Sequence, residues 1–217
     1  MRNIQLTSDG SATLYNAEIN ETYHSSDGAI LESMHVYISP AFGNFSDKKT
    51  LNILEIGFGT GLNALLTLLQ AQKTGVKVVY ETIELYPVKE DIYQNLNYAE
   101  ILNCDKEVFR QLHSCIPDET VIFKNLTFLK KHIDIREFYT DTKFDVVYFD
   151  AFSSNSQPHM WTVDIFNKMN SFMNPQGILL TYSSKGIVKQ ALRDAKFDVK
   201  RLPGAGGKRH MLKAEKL

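Results

Sequence analysis

Apolar runs of strand length alternate with helix-like repeats along most of the chain. One run covers Leu51 to Ile56, and leucines at positions 62, 65, 66 and 69 follow it with the spacing of a helix. Later strand-like runs cover residues 77–84, 121–133, 144–149 and 178–182, and helix-like stretches separate most of them. This alternation predicts an α/β fold with a doubly wound, mostly parallel sheet.

The N-terminal part of the chain carries a different pattern. Residues 13–38 show partial alternation of apolar and polar positions around a turn at residues 26–28, which predicts a β-hairpin. A turn-rich linker covers residues 40–50. We therefore expect a small N-terminal β extension over residues 1–45 and one domain over residues 46–217.

The composition excludes several classes of protein. No apolar run reaches the length that spans a membrane, and the first residues, MRNIQLTSDG, contain no apolar signal segment. The two cysteines lack metal-binding spacing and the six histidines form no ligand-spaced pair, so no metal is expected. This use of cysteine is typical of a cytoplasmic protein.

The formal net charge of −1 conceals an uneven distribution of charge. From Lys185 to the C-terminus there are ten Lys or Arg residues against three acids, so this region carries about +7 and the rest about −8. A localised basic region indicates either a polyanionic partner or an ordinary solvated surface, and charge alone does not separate the two.

Three glycines follow the apolar run at 51–56. Gly57, Gly59 and Gly61 stand between a predicted strand and a predicted helix, where bare backbone and a helix N-terminus can meet a small ligand. Their spacing is G-x-G-x-G after an acid, Glu55, whereas a dinucleotide fingerprint has its third glycine one residue later. This pattern favours S-adenosylmethionine as the cofactor, with Glu55 or a nearby carbonyl accepting from its ammonium group. The alternative is an ordinary turn between a core strand and a core helix.

Single acidic residues follow later strands of the predicted sheet. Ligands of open α/β sheets bind outside the carboxyl ends of the strands, so these acids should reach the same cleft. Glu84 would bind both hydroxyls of a ribose. Asp134 would bind the amine of an adenine, or it only caps the following helix. Asp150 would meet a substrate amine, because a buried carboxylate needs a partner.

Two further residues near strand ends have competing explanations. Trp161, the only tryptophan, either stacks on a base and lines the cleft or anchors the next helix in the core. Lys185 stands near a helix start, where a cation is unfavourable unless it meets a phosphate or another anion.

Several motifs together resemble one family. The strings EIGFGTGLN, YFDAF with PHMWT downstream, LLTYSSKG and RLPGAGGKRHML look like the methyltransferase domain of MnmC-type tRNA-modifying enzymes. The resemblance covers essentially the whole chain. One departure stands at His210, where the family's closing motif has an acid.

The resemblance implies a Rossmann-like methyltransferase fold with a seven-stranded sheet and an antiparallel last strand. It also implies methyl transfer from S-adenosylmethionine to the aminomethyl nitrogen of the modified wobble uridine of tRNA, giving 5-methylaminomethyl-(2-thio)uridine. The chain ends at Leu217 and resembles the stand-alone methyltransferase form, so upstream enzymes would supply the aminomethyl group.

The resemblance also implies roles for residues of this chain. Asp150 would be the catalytic residue beside the acceptor amine. The expected cofactor-binding residues are Glu55, Gly57, Phe58, Gly59, Gly61, Asn63, Glu84, Asp134 and Asp150. The residues expected to contact the acceptor or the anticodon stem-loop of the tRNA are Tyr23, His24, Phe152, Trp161, Lys185, Lys208 and Arg209.

Three other functions fit parts of the sequence. A polyamine aminopropyltransferase shares the fold, the glycine turn and a strand-end Asp that faces an amine, but it needs no basic surface. A small-molecule N-methyltransferase stays open, because the cofactor half does not define the acceptor. A non-enzymatic RNA-binding module would not need Glu84 and Asp150 in a cleft.

Overall fold

The computed structural model describes residues 2–217 of the chain. Its N-terminal part is a small antiparallel sheet with strand order β1-β2-β3. The strands are β1 (Arg2–Leu6), β2 (Ala12–Asn16) and β3 (Glu21–Thr22). The small N-terminal β extension is therefore confirmed.

The strand predicted between Ala29 and Ile38 is wrong, because this segment is helical. The chain forms α1 (Ala29–Ser33), a π-helical turn (Met34–Ile38) and α2 (Ser39–Asn44) without interruption. The buried positions 29, 32, 33, 36 and 37 follow the helical i, i+3, i+4, i+7, i+8 pattern, which the partial alternation of the sequence obscured. The segment packs in the same hydrophobic cluster as one face of the main sheet, and the domain division at 45/46 stays a prediction.

The main sheet has eight strands rather than the seven expected. In chain order they are β4 (Thr50–Ile56), β5 (Lys77–Ile83), β6 (Thr120–Phe123), β7 (Leu126–Lys131), β8 (Phe144–Phe149), β9 (Met173–Thr181), β10 (Phe197–Pro203) and β11 (His210–Lys216). The additional strand arises because the region 121–133 is a hairpin, with Asn125 at its turn in a left-handed conformation (φ 66°).

The strand order is β10-β11-β9-β8-β4-β5-β7-β6. The five inner strands β9, β8, β4, β5 and β7 are parallel, and the last strand β11 is antiparallel to β9, as expected. The chain runs from β4 towards β5 and later returns to the other side of β4 as β8. This reversal creates a crevice at the carboxyl ends of β4 and β8, which is where open α/β sheets bind ligands.

Helices cover both faces of the main sheet. They are α3 (Leu62–Thr74), α4 (Glu90–Tyr93), α5 (Tyr98–Ile101), α6 (Lys106–Ser114), α7 (Val163–Phe172) and α8 (Gly186–Asp194). Along β4, Leu51 and Ile53 pack with α3, α6 and the N-terminal helices, whereas Leu54 and Ile56 pack with α7 and α8. This alternation is that of a strand buried on both faces. No helix within residues 2–217 is long and apolar enough to cross a membrane.

Candidate active site

A cleft of about 980 Å³ opens at the carboxyl ends of β4, β5 and β8. The glycine turn, the residues after β5, β7 and β8, and the N-terminal sheet line it together. Its volume is at the upper end of the range for small-molecule sites, so it has room for a cofactor and an acceptor group.

The glycine turn lies directly against the end of β8. The backbone N–H of Asp150 donates to the carbonyl oxygen of Ile56 (3.0 Å), and that of Gly57 donates to Ile83 (3.0 Å). Gly57 has a φ of +93°, and a Cβ there would lie 2.8 Å from the carbonyl oxygen of Asp150. A residue with a side chain therefore does not fit at position 57 without displacing Asp150.

The other two glycines of the turn have separate tasks. Gly59 lines the cleft with a φ of +52°. Gly61 is not among the cleft-lining residues, and an added Cβ there would lie 2.8 Å from Nε2 of His113. Gly57 and Gly59 thus shape the ligand side of the turn, whereas Gly61 allows α3 and α6 to pack closely.

Glu84 is held in the cleft by two backbone donors. Its Oε2 accepts from the N–H of Gly59 (2.9 Å), and its Oε1 accepts from the N–H of Tyr86 (2.8 Å). These bonds orient the carboxylate and leave further lone pairs on both oxygens. The side chain can therefore accept from a diol, as the ribose prediction requires.

Asp134 lines the cleft and also caps its own turn. Its Oδ1 accepts from the backbone N–H of Arg136 (2.8 Å), and Nη2 of Arg136 donates to its Oδ2 (2.5 Å). Hydrogen bonds from Arg136 hold the pKa of Asp134 at about 2, so the carboxyl is ionised at neutral pH. No helix follows Asp134, so the helix-capping alternative is wrong in its element: the residue caps a turn over residues 135–137. Contact with an adenine stays a prediction.

Asp150 reaches the cleft with both carboxylate oxygens engaged. Oδ1 accepts from the hydroxyl of Tyr37 (2.7 Å), and Oδ2 accepts from Nδ2 of Asn63 (2.9 Å). Burial raises the pKa of Asp150 to about 7, against the lowering effect of the Tyr37 hydrogen bond. The carboxyl can therefore exchange a proton near neutral pH, which suits a group that receives an amine.

Glu55 does not reach the cleft. Its side chain is fully buried, and its Oε2 accepts from the hydroxyl of Thr82 (2.7 Å). Burial raises the pKa of Glu55 to about 8, so the group is largely neutral at pH 7. The side chain is therefore not placed to accept from a cofactor ammonium, and the backbone carbonyl alternative stays a prediction.

Aromatic residues of the two halves of the chain meet across the cleft. Tyr23 packs edge-on against Phe152 with ring centroids 4.8 Å apart, and both line the cleft. Phe58 also lines it but is mostly buried against His113, at 4.9 Å between ring centroids. His24 also lines the cleft although it is largely buried, and burial lowers its pKa to about 4, so its imidazole is neutral at pH 7.

Trp161 is a core residue rather than a lining residue. Only 3% of its surface is exposed, its ring packs against Phe149, and its Nε1–H donates to the carbonyl oxygen of Phe152 (2.8 Å). The core-anchor alternative is therefore the observed one. Trp161 contributes to the cleft only by fixing the backbone of the loop that carries Phe152.

The three expected cationic contacts differ in position. Lys208 lines the cleft, forms an ion pair with the buried Glu32, and lies 5.0 Å from the ring centroid of Tyr182. Lys185 and Arg209 are exposed and do not line the cleft. Within residues 2–217, no cluster of three or more His, Cys, Asp or Glu side chains is arranged to hold a metal.

Sequence reasoning missed Tyr37, Glu32 and Glu21, which all come from the N-terminal 45 residues. Tyr37 lies in the π-helical turn and binds Asp150, which is 113 positions away in the chain. A helical reading of 29–37 would have placed Glu32 and Tyr37 on one buried face. Nothing local to the sequence indicates their partners.

The geometry defines a class of protein, the open α/β proteins that bind a ligand at the carboxyl ends of their strands. Its glycine turn, Glu84 and Asp150 line one cleft at those strand ends. A family model described as S-adenosyl-L-methionine-dependent methyltransferase matches residues 106–217. The chain belongs to this family, and its cofactor is S-adenosylmethionine.

Curated proteins of one name are similar to nearly the whole chain. The chain is 27% identical over 209 residues to the tRNA 5-methylaminomethyl-2-thiouridine biosynthesis bifunctional protein MnmC of Campylobacter fetus, covering 93% of this chain and 34% of that protein. It is 28% identical to the protein of the same name from Ralstonia nicotianae, covering 95% and 33%. The chain thus spans about a third of the length of these curated relatives.

Solved structures support the fold. The crystal structure of MNMC2 from Aquifex aeolicus superposes with a TM-score of 0.81 at 27% identity, covering 99% of this chain and 70% of that one. A magnesium protoporphyrin IX methyltransferase from Synechocystis, solved with bound SAH, shares the fold at a TM-score of 0.53 and 12% identity. The Rossmann-like methyltransferase fold is therefore confirmed.

The residues present fit S-adenosylmethionine. Gly57 and Gly59 expose bare backbone to the cleft, Glu84 offers oriented oxygens for a ribose diol, and Asp134 lies after the neighbouring strand. Asn63, which also lines the cleft, has a buried Oδ1 without a hydrogen-bond partner among the described residues. A buried acceptor of this kind normally finds a partner, and a cofactor polar group or an ordered water would supply it.

Gly57→Ala should weaken binding of S-adenosylmethionine. The added Cβ would meet the carbonyl oxygen of Asp150 and would strain the left-handed backbone at position 57. A strain of about 1–3 kcal/mol corresponds to a rise in Kd of roughly 5- to 150-fold if it falls on the bound state. Isothermal calorimetry measures this directly.

The matched control for this substitution is Gly43→Ala. Position 43 lies in α2, and nothing stands within 4 Å of an added Cβ there. The control should keep the wild-type Kd. A folded Gly57→Ala protein that also keeps the wild-type Kd would contradict the assigned role of the turn.

Proposed function

We propose that this chain transfers a methyl group from S-adenosylmethionine to the aminomethyl nitrogen of the modified wobble uridine of tRNA. The observation that carries the proposal is Asp150, an acid with a near-neutral pKa, beside the glycine turn of a methyltransferase cleft. The MnmC relatives, named for tRNA 5-methylaminomethyl-2-thiouridine biosynthesis, support tRNA as the acceptor. A tRNA acceptor in turn supports a cytoplasmic location.

The acceptor amine needs a group that takes a proton from it. A primary amine is mostly protonated in water at neutral pH, and an ammonium has no lone pair to attack with. Bound S-adenosylmethionine supplies an electrophilic methyl group. The Asp150 carboxylate would accept a hydrogen bond from the incoming ammonium, take one proton and leave the nitrogen lone pair directed at the cofactor site.

Two neighbours fix the direction in which Asp150 acts. Tyr37 donates to Oδ1 and Asn63 donates to Oδ2, so the carboxylate does not rotate freely. Tyr37 keeps its own proton, because burial and the Asp150 charge raise its pKa well above the ordinary value. The acceptor therefore meets a carboxylate of fixed orientation, and orientation is a large part of the barrier reduction in a group transfer.

The acceptor side of the cleft is lined by side chains that limit water. Tyr23 and Phe152 pack edge to face, and Met160 also lines this region. Removing water strengthens the interaction between the amine and Asp150, because the local dielectric falls.

The direct test is methylation in vitro with three acceptors. The chain is incubated with S-adenosylmethionine and either tRNA that carries the 5-aminomethyl wobble uridine, the same tRNA without that modification, or putrescine. Nucleoside mass spectrometry should find one added methyl group on the aminomethyl uridine only. Methylation of putrescine or of unmodified tRNA in preference to it would contradict the proposal.

Asp150→Asn is the variant that tests the catalytic role in the same assay. The amide keeps the shape of the side chain but does not accept a proton at neutral pH. Turnover should fall by about 100-fold or more, the usual contribution of a positioned base, while the Kd for S-adenosylmethionine changes little. Retention of near wild-type turnover would remove Asp150 from the mechanism.

Tyr37→Phe should move the pH dependence of the reaction. The hydrogen bond from Tyr37 lowers the pKa of Asp150, so its removal raises that pKa above about 7. The ionised carboxylate is the active form, so the acidic limb of kcat/KM should shift to higher pH. A hydrogen bond of about 0.5–1.5 kcal/mol corresponds to a shift of roughly 0.4–1 pH unit.

Tyr139→Phe is the matched control for that shift. Tyr139 is exposed, and its hydroxyl donates to Asp141 (3.0 Å), away from the cleft. The pH profile of kcat/KM for Tyr139→Phe should coincide with that of the wild type. An acidic limb that stays unchanged in Tyr37→Phe, or moves to lower pH, would contradict the assigned contact.

A cationic surface beside the cleft would bind the tRNA backbone. Lys189 and Arg193 lie one turn apart on α8, and Arg201 follows on β10. The nearby charges of Arg193 and Arg201 lower the pKa of Lys189, which indicates that the three cations are close to one another. With Lys185 and Arg209 this surface offers phosphate contacts near the acceptor side of the cleft.

Affinity for tRNA should therefore depend steeply on salt. Replacing Lys189, Arg193 and Arg201 together with Ala should reduce the slope of log Kd against log salt by roughly two to three, if each contacts one phosphate. The control is a triple variant in which Lys73, Lys77 and Lys124 are replaced with Ala. These lysines lie near the C-terminus of α3 and the start of β5, at the amino ends of the parallel strands and so away from the cleft. A slope equal to that of the control would contradict phosphate contact by this surface.

A further inference from the structure

The loop after β8 carries the acceptor side of the cleft and has three anchors. The hydroxyl of Tyr182 donates to the carbonyl oxygen of Ala151 (2.9 Å), and Trp161 donates to that of Phe152 (2.8 Å). Tyr182 directly follows β9, and Trp161 ends a short 3-10 helix (Pro158–Trp161) just before α7. The third anchor comes from the N-terminal sheet, across the cleft.

Glu21 is that third anchor. Its Oε2 accepts from the backbone N–H of Ser153 (3.1 Å), and its Oε1 accepts from the hydroxyls of Ser153 and of Ser156 (2.7 Å to Ser156). Three hydrogen bonds from one loop to one carboxylate are charge-assisted and therefore stronger than neutral ones.

The charge of Glu21 is maintained by these contacts. Partial burial alone would raise its pKa, but the hydrogen bonds from Ser153 and Ser156 and the charge of Lys185 bring that pKa below the ordinary value. The carboxylate is therefore ionised throughout the pH range in which Asp150 titrates. A protonated Glu21 would lose an acceptor, so the clamp is strongest in the ionised form.

The same contact region holds the aromatic wall. Tyr23, two residues after Glu21, packs on Phe152, which directly precedes Ser153 in the loop. Tyr23 also lies over the glycine turn, since an added Cβ on Gly59 would be 3.3 Å from its ring. The strand that carries Glu21, β3, is only two residues long and lies at the edge of the N-terminal sheet. Its pairing with β2 therefore does little to hold the loop after β8.

We propose that Glu21 is a positioning residue: it clamps residues 153–156 to the N-terminal sheet and so holds the acceptor side of the cleft in the shape that receives the substrate. It acts through the loop rather than on the reacting atoms, and its hydrogen bonds go to Ser153 and Ser156 rather than to the glycine turn or Glu84. The inference rests on the proposed function only for the identity of the acceptor.

The first measurement is independent of any acceptor. Hydrogen–deuterium exchange of the free protein should show exchange of the amides at 153–157 that is at least tenfold faster in Glu21→Ala than in the wild type. Glu21→Gln retains one carbonyl oxygen and should give an intermediate rate. Glu107→Gln, an exposed acid on α6, is the matched control and should not change this segment.

The second measurement separates the two sides of the cleft. In Glu21→Ala, KM for the tRNA acceptor should rise by about tenfold, whereas the Kd for S-adenosylmethionine stays within twofold of the wild-type value. Glu21→Gln should recover part of the loss in KM. An equal loss of cofactor affinity, or no change in KM, would overturn the proposal.

A double-mutant cycle distinguishes a clamp from direct contact with the acceptor. If Glu21 acts through the loop, Ser153→Ala with Ser156→Ala should raise KM by less than Glu21→Ala does, because the backbone N–H of Ser153 still donates to Glu21. Adding Glu21→Ala to the two serine substitutions should then raise KM only to the value of Glu21→Ala alone. Additive effects would show that Glu21 acts on the acceptor independently of the serines and would overturn the clamp. If wild-type protein methylates no tRNA, the proposed function fails, while the exchange result still tests the clamp.

Discussion

The close approach of Gly57 to Asp150 is the constraint on which the cleft depends. The ends of β4 and β8 are joined by the hydrogen bond from Asp150 to Ile56, and the missing side chain at position 57 lets the two chain segments meet. The same turn binds Glu84 through Gly59. One tight turn therefore sets the relative positions of Glu84 and Asp150, which follow strands on opposite sides of β4.

Two acids beside this turn show how burial assigns different tasks to the same functional group. Glu55 is the last but one residue of β4, and complete burial of its side chain raises its pKa to about 8. Asp150 lies at the cleft and receives two hydrogen bonds, and its pKa is about 7. The buried acid is largely neutral and adds little negative charge at pH 7, so Asp150 is the acid that can change its protonation in contact with a ligand.

The N-terminal segment forms part of the cleft and contacts its functional residues. It supplies Tyr37 to Asp150, Glu32 to Lys208, and Glu21 to the loop after β8. Each contact joins residues more than 110 positions apart in the chain. The π-helical turn that carries Tyr37 is an irregular element of a type often found at functional sites. The part of the cleft around Asp150 and the loop after β8 is therefore built by tertiary packing between the two halves of the chain.

The class of fold, the glycine turn and the strand-end acids could be predicted from the sequence, because these follow from local periodicity and from the rule that parallel strands present their carboxyl ends at one edge. The sequence also indicated Glu84, Asp134 and Asp150, which all line the cleft. The burial of Glu55 and Trp161, the helical conformation of residues 29–44, and the contacts of Tyr37 with Asp150 and of Glu21 with Ser156 became apparent only in the folded chain. The physical reason is that burial and long-range hydrogen bonds depend on which distant segments pack together, and a local pattern carries no record of that partner.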